Sequence, residues 1–322
     1  MASYDTVNYG LRPSKAVERK LFIECLQLLS RCGYYMPDYK YVGMGSPHYI
    51  DFNIFHRHLY IDEMLCAERS NAEDRMRFNL PFGFVELEMK PIGNLISMLD
   101  RERRHLVWLD YDSALGESIL QDLSGYVQVL AAGSVFIISV AADIKTLRNY
   151  LVPPELRRCI SVDDQDIYVV DELNKTLGHY LPKPFTLPAT PKSVATNVSG
   201  AIRTCIEEHA KQHRKLEFIQ LFNCRYTDGT TQMLTIGGLL DTASARQELN
   251  DANIYDHYFM RDEADPVEIT VPPLTLRERN WIDTNVIGKK EPEKLVFELD
   301  KKLLQNYIRF YRHYPNYHET VL

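Results

Sequence analysis

The chain has 322 residues, of which 45% are hydrophobic, and its formal net charge is −7 at pH 7. This length and hydrophobic content suit an α/β domain with an insertion or an appendage. The negative charge argues against a protein that coats nucleic acid, and no apolar run approaches membrane-spanning length. The first residues lack the regions of a signal peptide, and the six cysteines form no CxxC or CxxH pair. We therefore expect a globular cytoplasmic protein with reduced thiols.

Short apolar runs alternate with helical stretches through the first half of the chain, which predicts five consecutive βα units. A helix over 14–32 comes first, because apolar residues recur at helical spacing and Gly33 provides a natural end. The predicted strands are 39–42, 64–67, 84–89, 105–112 and 134–140. The predicted helices between and after them are 48–59, 71–79, 93–99 and 117–130.

The second half of the chain predicts a hairpin, an insertion and a tail. Two alternating runs, 216–226 and 231–236, flank Asp228-Gly229, which is a strong hairpin signal. The insertion, 143–214, contains proline-punctuated loops, one predicted strand over 166–170 and a returning helix over 193–211. We expect it to form a lid or substrate wall, or else to be a decoration or oligomer contact away from the site. Two helical stretches, 274–282 and 300–311, are predicted in the tail.

The first predicted strand runs directly into Gly43-Met44-Gly45-Ser46, and an acid, Glu68, ends the next strand. A tight turn needs a residue without Cβ, and close backbone approach to a ligand needs a second one. The acid at the next strand end can accept hydrogen bonds from a pair of ribose hydroxyls. The pattern therefore indicates a nucleotide-like ligand, although a GxG sequence by itself is a weak signal.

Five parallel strands followed by a hairpin resemble the class I S-adenosylmethionine-dependent methyltransferase fold. The segments Asn8-Tyr-Gly-Leu-Arg-Pro-Ser-Lys15, Tyr41-Val-Gly-Met-Gly-Ser46 and Trp108-Leu-Asp-Tyr-Asp112 are similar to those of a bacterial O-methyltransferase family. The resemblance covers about 8–145 and 215–240. It implies an α/β, Rossmann-like, seven-stranded and mostly parallel sheet with an antiparallel hairpin at one edge. An insertion would separate strands five and six, and a helical C-terminal tail would follow.

The resemblance also implies S-adenosylmethionine as the cofactor and gives roles to individual residues. Gly43 and Gly45, with Met44 and Ser46, would pass under the methionine part, and Glu68 would hold the ribose hydroxyls. Met89 and Lys90 would face the adenine, and Asp110 would lie beside the sulfonium. Two features depart from the superfamily pattern. Ser46-Pro47 replace a third glycine, and Met89-Lys90 stand where an acid usually meets the adenine amino group.

Asp110 and Asp112 are the candidate catalytic residues, because alternate residues of a strand leave it on the same face. Either carboxylate could orient an incoming nucleophile or accept its proton. Together with Asp143 they could instead hold Mg²⁺, which prefers oxygen ligands. The alternative for Asp112 is a helix cap and for Asp110 a structural place beside the cofactor loop. The predicted site contains no metal.

The leading hypothesis is a methyltransferase that acts, by O-methylation, on a small-molecule or macromolecular acceptor. The alternative is a non-catalytic subunit of the same fold that binds a protein or nucleic-acid partner. It is motivated by the unusual adenine loop and by the basic, aromatic sequence from Tyr307 to Tyr317, which could stack on bases. Aromatic residues at that spacing can equally pack against their own domain. The predicted divisions are 1–38, a core of 39–143 with 215–240, the insertion 144–214 and the extension 241–322.

Overall fold

The computed structural model describes residues 12–228 and 231–315, and an eight-stranded sheet runs through it. The strands are β1 (Lys40–Met44), β2 (Glu63–Ala67), β3 (Val85–Glu88), β4 (His105–Ala114), β5 (Ser134–Ala141), β6 (Glu217–Asp228), β7 (Thr231–Asp241) and β8 (Val267–Ile269). Their order is β3-β2-β1-β4-β5-β7-β6-β8, with β7 antiparallel to both of its neighbours and every other pairing parallel. The predicted α/β, mostly parallel sheet with an antiparallel hairpin is confirmed.

Helices cover both faces of the sheet, as a mostly parallel sheet with apolar strands requires. They are α1 (Pro13–Arg31), α2 (Ile50–Leu59), α3 (Glu73–Phe78), α4 (Glu117–Val129), α5 (Ile144–Leu151), α6 (Pro154–Arg157), α7 (Val162–Leu177), α8 (Pro191–His209), α9 (Ala243–Asp251), α10 (Leu276–Asn285) and α11 (Lys301–Phe310). Helices α1 and α2 share an apolar core with Tyr41 and Trp108. Helices α4, α7 and α8 share the opposite core with Val42 and Val107. The alternation of strand side chains therefore divides the core into two layers.

The sheet has one strand more than the sequence predicted. Residues Val267–Ile269 form β8, which pairs in parallel with β6, so the hairpin does not lie at the outer edge. The chain therefore returns to the sheet after the hairpin instead of leaving it. A strand of three residues is too short to display the alternating pattern by which strands are recognised.

The predicted strand over 166–170 is wrong, because this stretch lies within α7. Ser161 caps the helix by accepting a hydrogen bond from the backbone N–H of Asp164 at 3.1 Å. The buried residues Val169, Val170, Leu173 and Leu177 recur at helical spacing. Their pattern extends beyond the short β-branched run that suggested a strand.

The rest of the insertion is attached to the core in two ways. Helix α5 packs against β4 near the carboxyl edge of the sheet, while α8 packs against α4, β6 and β7. The returning helix was predicted, and its observed bounds are Pro191–His209.

Both predicted helices of the tail are present as α10 and α11. Ile282, Val286 and Tyr307 form a small apolar cluster of their own, and Phe310 joins the main core. Packing of the aromatic residues against their own domain is thus confirmed for Tyr307 and Phe310, which are each 2% exposed. Tyr317 and the hairpin residues Gly229 and Thr230 lie outside the described residues, as does the lead-in before Arg12.

All six cysteines are free thiols, in agreement with the sequence analysis. In 12–228 and 231–315, no helix is long and apolar enough to cross a membrane. The four proposed divisions of the chain remain predictions.

Candidate functional site

The strand register brings the candidate site residues together at the carboxyl edge of the sheet. Gly43 pairs with Trp108 across β1 and β4, so Gly45 and Asp110 each follow two residues later on neighbouring strands. On the other side of β1, Met44 pairs with Ala67, and Glu68 follows at once. Since adjacent strands lie about 4.8 Å apart, these residues share one stretch of the edge.

Gly45 lies where a side chain would not fit. A Cβ on this residue would approach Cys66 Sγ to 2.6 Å and Met76 Cε to 2.9 Å. Its N–H donates to the carbonyl of Ala67 at 2.7 Å, which holds the loop against the end of β2. The loop then turns into α2 through Ser46, whose carbonyl accepts a hydrogen bond from the N–H of Tyr49 at 3.0 Å. The glycine requirement at this turn is therefore steric.

Gly43 has a different local explanation. It lies inside β1, and a Cβ there would approach the hydroxyl oxygen of Tyr41 to 2.2 Å. The Tyr41 ring is buried against Phe52 and Phe55, with ring centroids 4.9 and 4.8 Å away. The absence of a side chain at Gly43 thus makes room for Tyr41, and a contact between Gly43 and a cofactor stays a prediction. A valine at Gly43 would disturb the core as well as any ligand.

Glu68 follows β2 with its carboxylate held by its own loop. Its Oε1 accepts hydrogen bonds from the N–H groups of Arg69 and Ser70, both at 2.8 Å. Within the described part of the chain, Oε2 has no hydrogen-bond partner. The Ser70 hydroxyl beside it is also buried without a partner. An oriented carboxylate next to an unsatisfied hydroxyl can receive a ligand that carries hydroxyl groups.

The end of β3 contains an acid that the sequence analysis did not single out. The strand ends at Glu88, whose carbonyl accepts the N–H of Glu68 at 3.0 Å. Lys90 folds back so that its Nζ lies 2.6 Å from Glu88 Oε2. An acid is therefore present one residue before Met89. The alternation of apolar and acidic residues along β3 was the sequence signal that could have identified it. Neither Met89 nor Lys90 is buried.

Asp110 is held by a lysine from α1, which the sequence analysis missed. Its Oδ1 accepts a hydrogen bond from Lys15 Nζ at 2.7 Å, and Glu18 Oε2 lies 2.9 Å from the same nitrogen. The side chains of Lys15 and Glu18 are 0% exposed, whereas that of Asp110 is 25% exposed. Lys15 and Glu18 lie in line with Phe22 and Leu29 at helical spacing. Charged residues in the buried stripe of α1 were the signal that could have revealed them.

A second ion pair lies beside the first. Arg19 Nε and its Nη2 donate to the two carboxylate oxygens of Asp51 at 2.6 and 3.0 Å. Asp51 belongs to the first turn of α2, so this bidentate pair joins α1 to the helix that follows the glycine loop. Burial alone would lower the pKa of Arg19, but Asp51 outweighs it and raises that pKa above its ordinary value.

The electrostatic balance keeps Asp110 ionised. Burial would raise its pKa, but the attraction of Lys15, with Arg19 in support, holds the pKa of Asp110 below its ordinary value. Burial also opposes the charge of Lys15, yet Asp110 and Glu18 raise the pKa of Lys15 above its ordinary value. The pKa of Glu18 is raised, because its burial outweighs the effect of Lys15. Lys15 is therefore a fixed cation and Asp110 a weak base.

Asp112 is exposed at the same edge and does not cap the following helix. The N-cap of α4 is Gly116, without a side-chain cap. Burial, with Asp112 nearby, raises the pKa of the Tyr150 phenol of α5. A lid or substrate wall formed by the insertion stays a prediction. Asp143 caps α5 by accepting from the N–H groups of Lys145 and Thr146. In the part of the chain that is described, no group of three His, Cys, Asp or Glu side chains could hold a metal ion.

Several solved structures resemble this chain. Trm1 from Pyrococcus horikoshii, in complex with S-adenosyl-L-methionine, has 13% identity and a TM-score of 0.44, over 72% of this chain and 57% of its own. N-methyltransferase NodS from Bradyrhizobium japonicum WM9 has 11% identity and a TM-score of 0.38, over 70% of this chain and 97% of its own. An O-methyltransferase family protein from Burkholderia thailandensis has 12% identity and a TM-score of 0.32, over 70% of this chain and 60% of its own.

The chain thus spans little more than half of Trm1. No curated protein sequence matches it. The model of the family described as "Putative O-methyltransferase" matches residues 7–322, and the chain belongs to that family.

Proposed function

We propose that the chain is a cytoplasmic methyltransferase that binds S-adenosylmethionine at the carboxyl edge of β1, β2 and β4. The observation that carries this proposal is the register that gathers Gly45, Glu68 and Asp110 on three adjacent strands. In an open α/β sheet, ligands bind outside the carboxyl ends of the strands. The strand order changes direction between β1 and β4, which is the point where such a crevice opens.

Four of the residues present fit this cofactor. Gly45 allows the chain to turn without a side chain, and the oriented carboxylate of Glu68 can accept hydrogen bonds from ribose hydroxyls. The Ser70 hydroxyl is a buried group still without a partner. The ionised Asp110 faces the cleft with a quarter of its side chain exposed and favours a positively charged group. Met44, Ser46, Met89 and Lys90 remain proposed cofactor contacts.

The bound cofactor would supply an activated methyl group on a positively charged sulfur. Gly45, Glu68 and Asp110 would hold the cofactor at the carboxyl edge. The acceptor hydroxyl would be held beside Asp112, where it would give up its proton on receiving the methyl group. The residues of the chain would serve chiefly to align the two reactants, since positioning supplies much of the rate.

Asp110 and Asp112 then have separate proposed roles. Asp110 is paired with Lys15 and has a lowered pKa, so it would orient charge instead of receiving the proton. Asp112 is exposed at the open side of the cleft and is the better group to orient the acceptor or receive its proton. The Tyr150 phenol, whose pKa is raised, stays protonated and can donate a hydrogen bond to the acceptor.

Calorimetric titration of the full chain with S-adenosylmethionine and S-adenosylhomocysteine tests the proposal. We expect saturable heat with both compounds and a rise in melting temperature, because a ligand that binds only the folded state stabilises it. NAD⁺ is the matched negative control, since it shares the adenosine but lacks the amino-acid tail. Absence of heat and of a thermal shift with both sulfur compounds would overturn the enzyme proposal. The non-catalytic, partner-binding subunit would then be the remaining hypothesis.

A further inference from the structure

Lys15 is a buried cation with two acidic partners at the edge of the proposed cofactor cleft. Its Nζ lies 2.7 Å from Asp110 Oδ1 and 2.9 Å from Glu18 Oε2. Of these three side chains only that of Asp110 reaches the cleft, since the other two are 0% exposed. Resting on the function proposed above, we infer that Lys15 is a positioning residue that fixes the orientation and charge of Asp110 for cofactor binding.

Contacts with an aromatic ring and two carboxylates hold Lys15 in place. Its Nζ lies 4.2 Å from the centroid of the Trp108 ring, which is within range of a cation–π interaction. The Trp108 indole N–H donates to Ser139 Oγ at 3.0 Å, and that hydroxyl lies 2.9 Å from Thr235 Oγ1. The ammonium group of Lys15 therefore contacts residues of α1 and β4, and Ser139 of β5 and Thr235 of β7 hold the Trp108 ring in place.

The other charged groups that face Asp110 come from every element around it. Arg19 of α1 is paired with Asp51 of α2, and Arg12 adds a further positive charge. Burial raises the pKa of the Tyr41 hydroxyl in β1, and the negative charges of Asp51 and Asp110 add to that rise. On the side of β6, the Tyr226 ring lies 5.6 Å from Lys15 Nζ, and Cys224 Sγ lies 3.6 Å from Glu18 Oε1. Among the residues that the structure describes, Lys15 is the cation that pairs directly with Asp110, so its removal should change the balance most.

Without Lys15, two carboxylates would face each other in a buried space. Burial and like charge both raise the pKa of a carboxyl group. One of the two, Asp110 or Glu18, would then take up a proton at a pH well above its ordinary range. The cleft would lose negative charge as the pH falls, and its affinity for a positively charged sulfonium would fall with it.

The test is a pH series of calorimetric titrations with S-adenosylmethionine, between about pH 5.5 and about pH 8.5, on the full chain. The wild-type affinity is expected to stay flat within about twofold over this range. Lys15→Met is expected to bind at least about tenfold more weakly at the acid end than at the alkaline end, which a merely structural role would not produce. Lys15→Arg keeps the charge and should restore the flat profile.

Matched variants separate this effect from general damage. Lys175→Met removes a lysine of α7 that is 78% exposed and should leave the profile flat. Lys15→Met/Glu18→Gln removes the second carboxylate, so the pH dependence should shift to lower pH without disappearing. This double variant also replaces Lys15→Met should the single variant not fold. A Lys15→Met or double variant that is folded and keeps the flat wild-type profile overturns the inference.

A second readout needs no cofactor, so failure of the proposed function is distinguishable from failure of this inference. In the wild type the lowered pKa of Asp110 contributes stability that is present at neutral pH and is lost as the pH falls through the folded-state value. The raised pKa of Glu18 acts in the opposite direction in the wild type, because its contribution falls as the pH rises. In Lys15→Met the pKa of Asp110 also rises, so both carboxyl groups contribute stability that is lost as the pH rises toward neutrality. Urea unfolding at several pH values should show this change in the pH dependence of stability. Parallel stability profiles in the two proteins overturn the inference even where no cofactor binds.

Discussion

The N-terminal helix α1 and the C-terminal helices α10 and α11 all pack through apolar residues, but α1 adds buried ion pairs to neighbouring elements. Lys15 and Arg19 of α1 pair with acids of β4 and α2, and Glu18 lies buried beside Lys15. Helices α10 and α11 instead bury Ile282 and Tyr307 in a small apolar cluster. Buried ion pairs add little net stability, because removing each charge from water costs several kcal/mol. The difference indicates that the charges of α1 have a role beyond attachment, beside the cleft that Asp110 borders.

The largest expected effect is on the ion pair between α1 and α2. Arg19→Met leaves Asp51 without its bidentate partner in a site where its side chain is only 15% exposed. We expect a loss of about 3–5 kcal/mol in the free energy of unfolding, measured by urea denaturation. Arg19→Met/Asp51→Asn should regain most of it. Arg77→Met breaks an exposed pair with Glu73 and should cost about 0–1 kcal/mol. Equal losses of unfolding free energy in Arg19→Met and Arg77→Met would contradict the conclusion that the buried ion pair of α1 matters more than an exposed one.

The apolar cluster should respond next most strongly. Ile282 is 0% exposed, and Ile282→Ala removes its contacts and leaves a cavity. We expect a loss of about 2–4 kcal/mol in the free energy of unfolding. The affinity of the folded variant for S-adenosylmethionine should not change, because Ile282 belongs to a cluster that contains none of the proposed cofactor-binding residues. A weaker affinity in the folded variant would show that the C-terminal extension contributes to the site. The contrast drawn between α1 and the C-terminal helices would then be wrong.

Glu68 tests the ligand-binding side of the comparison. Glu68→Ala removes the carboxylate proposed to accept hydrogen bonds from the ribose. The binding free energy should therefore become less favourable by about 1.5–3 kcal/mol. Calorimetry measures it directly. Glu86→Ala is the matched control, because Glu86 is an exposed acid of the neighbouring strand β3 paired with Lys40 at 3.1 Å. An unchanged dissociation constant in Glu68→Ala would mean that the ligand does not cross this strand end.

Asp112 should give the smallest change in affinity. Its side chain is exposed, so Asp112→Asn is expected to alter the free energy of S-adenosylmethionine binding by less than about 0.5 kcal/mol. Asp110→Asn should weaken binding about as much as Glu68→Ala, since it changes the charge that Lys15 holds in place. Turnover on the acceptor should fall in both variants. Equal effects of the two substitutions on affinity would contradict the separate roles proposed for the two aspartates.

The sequence by itself determined the order of strands and helices up to β5 and the hairpin of β6 and β7, and it placed Gly45, Glu68 and Asp110 at the carboxyl edge. These features depend on local periodicity, on glycine and on the position of an acid after an apolar run, which neighbouring residues carry. The three-residue β8 and the helical character of 166–170 needed the tertiary structure, because short segments have ambiguous patterns.

Only the tertiary structure decided what surrounds the site residues. Lys15 and Asp110 are 95 positions apart in the chain, and no local pattern relates them. Their pairing depends on how α1 packs over β4, and the role of Gly43 in making room for Tyr41 depends on how α2 packs over β1. A strand end predicts that a carboxylate lies at an edge. Its partner, its exposure and the direction of its pKa shift depend on contacts that form only when distant segments fold together.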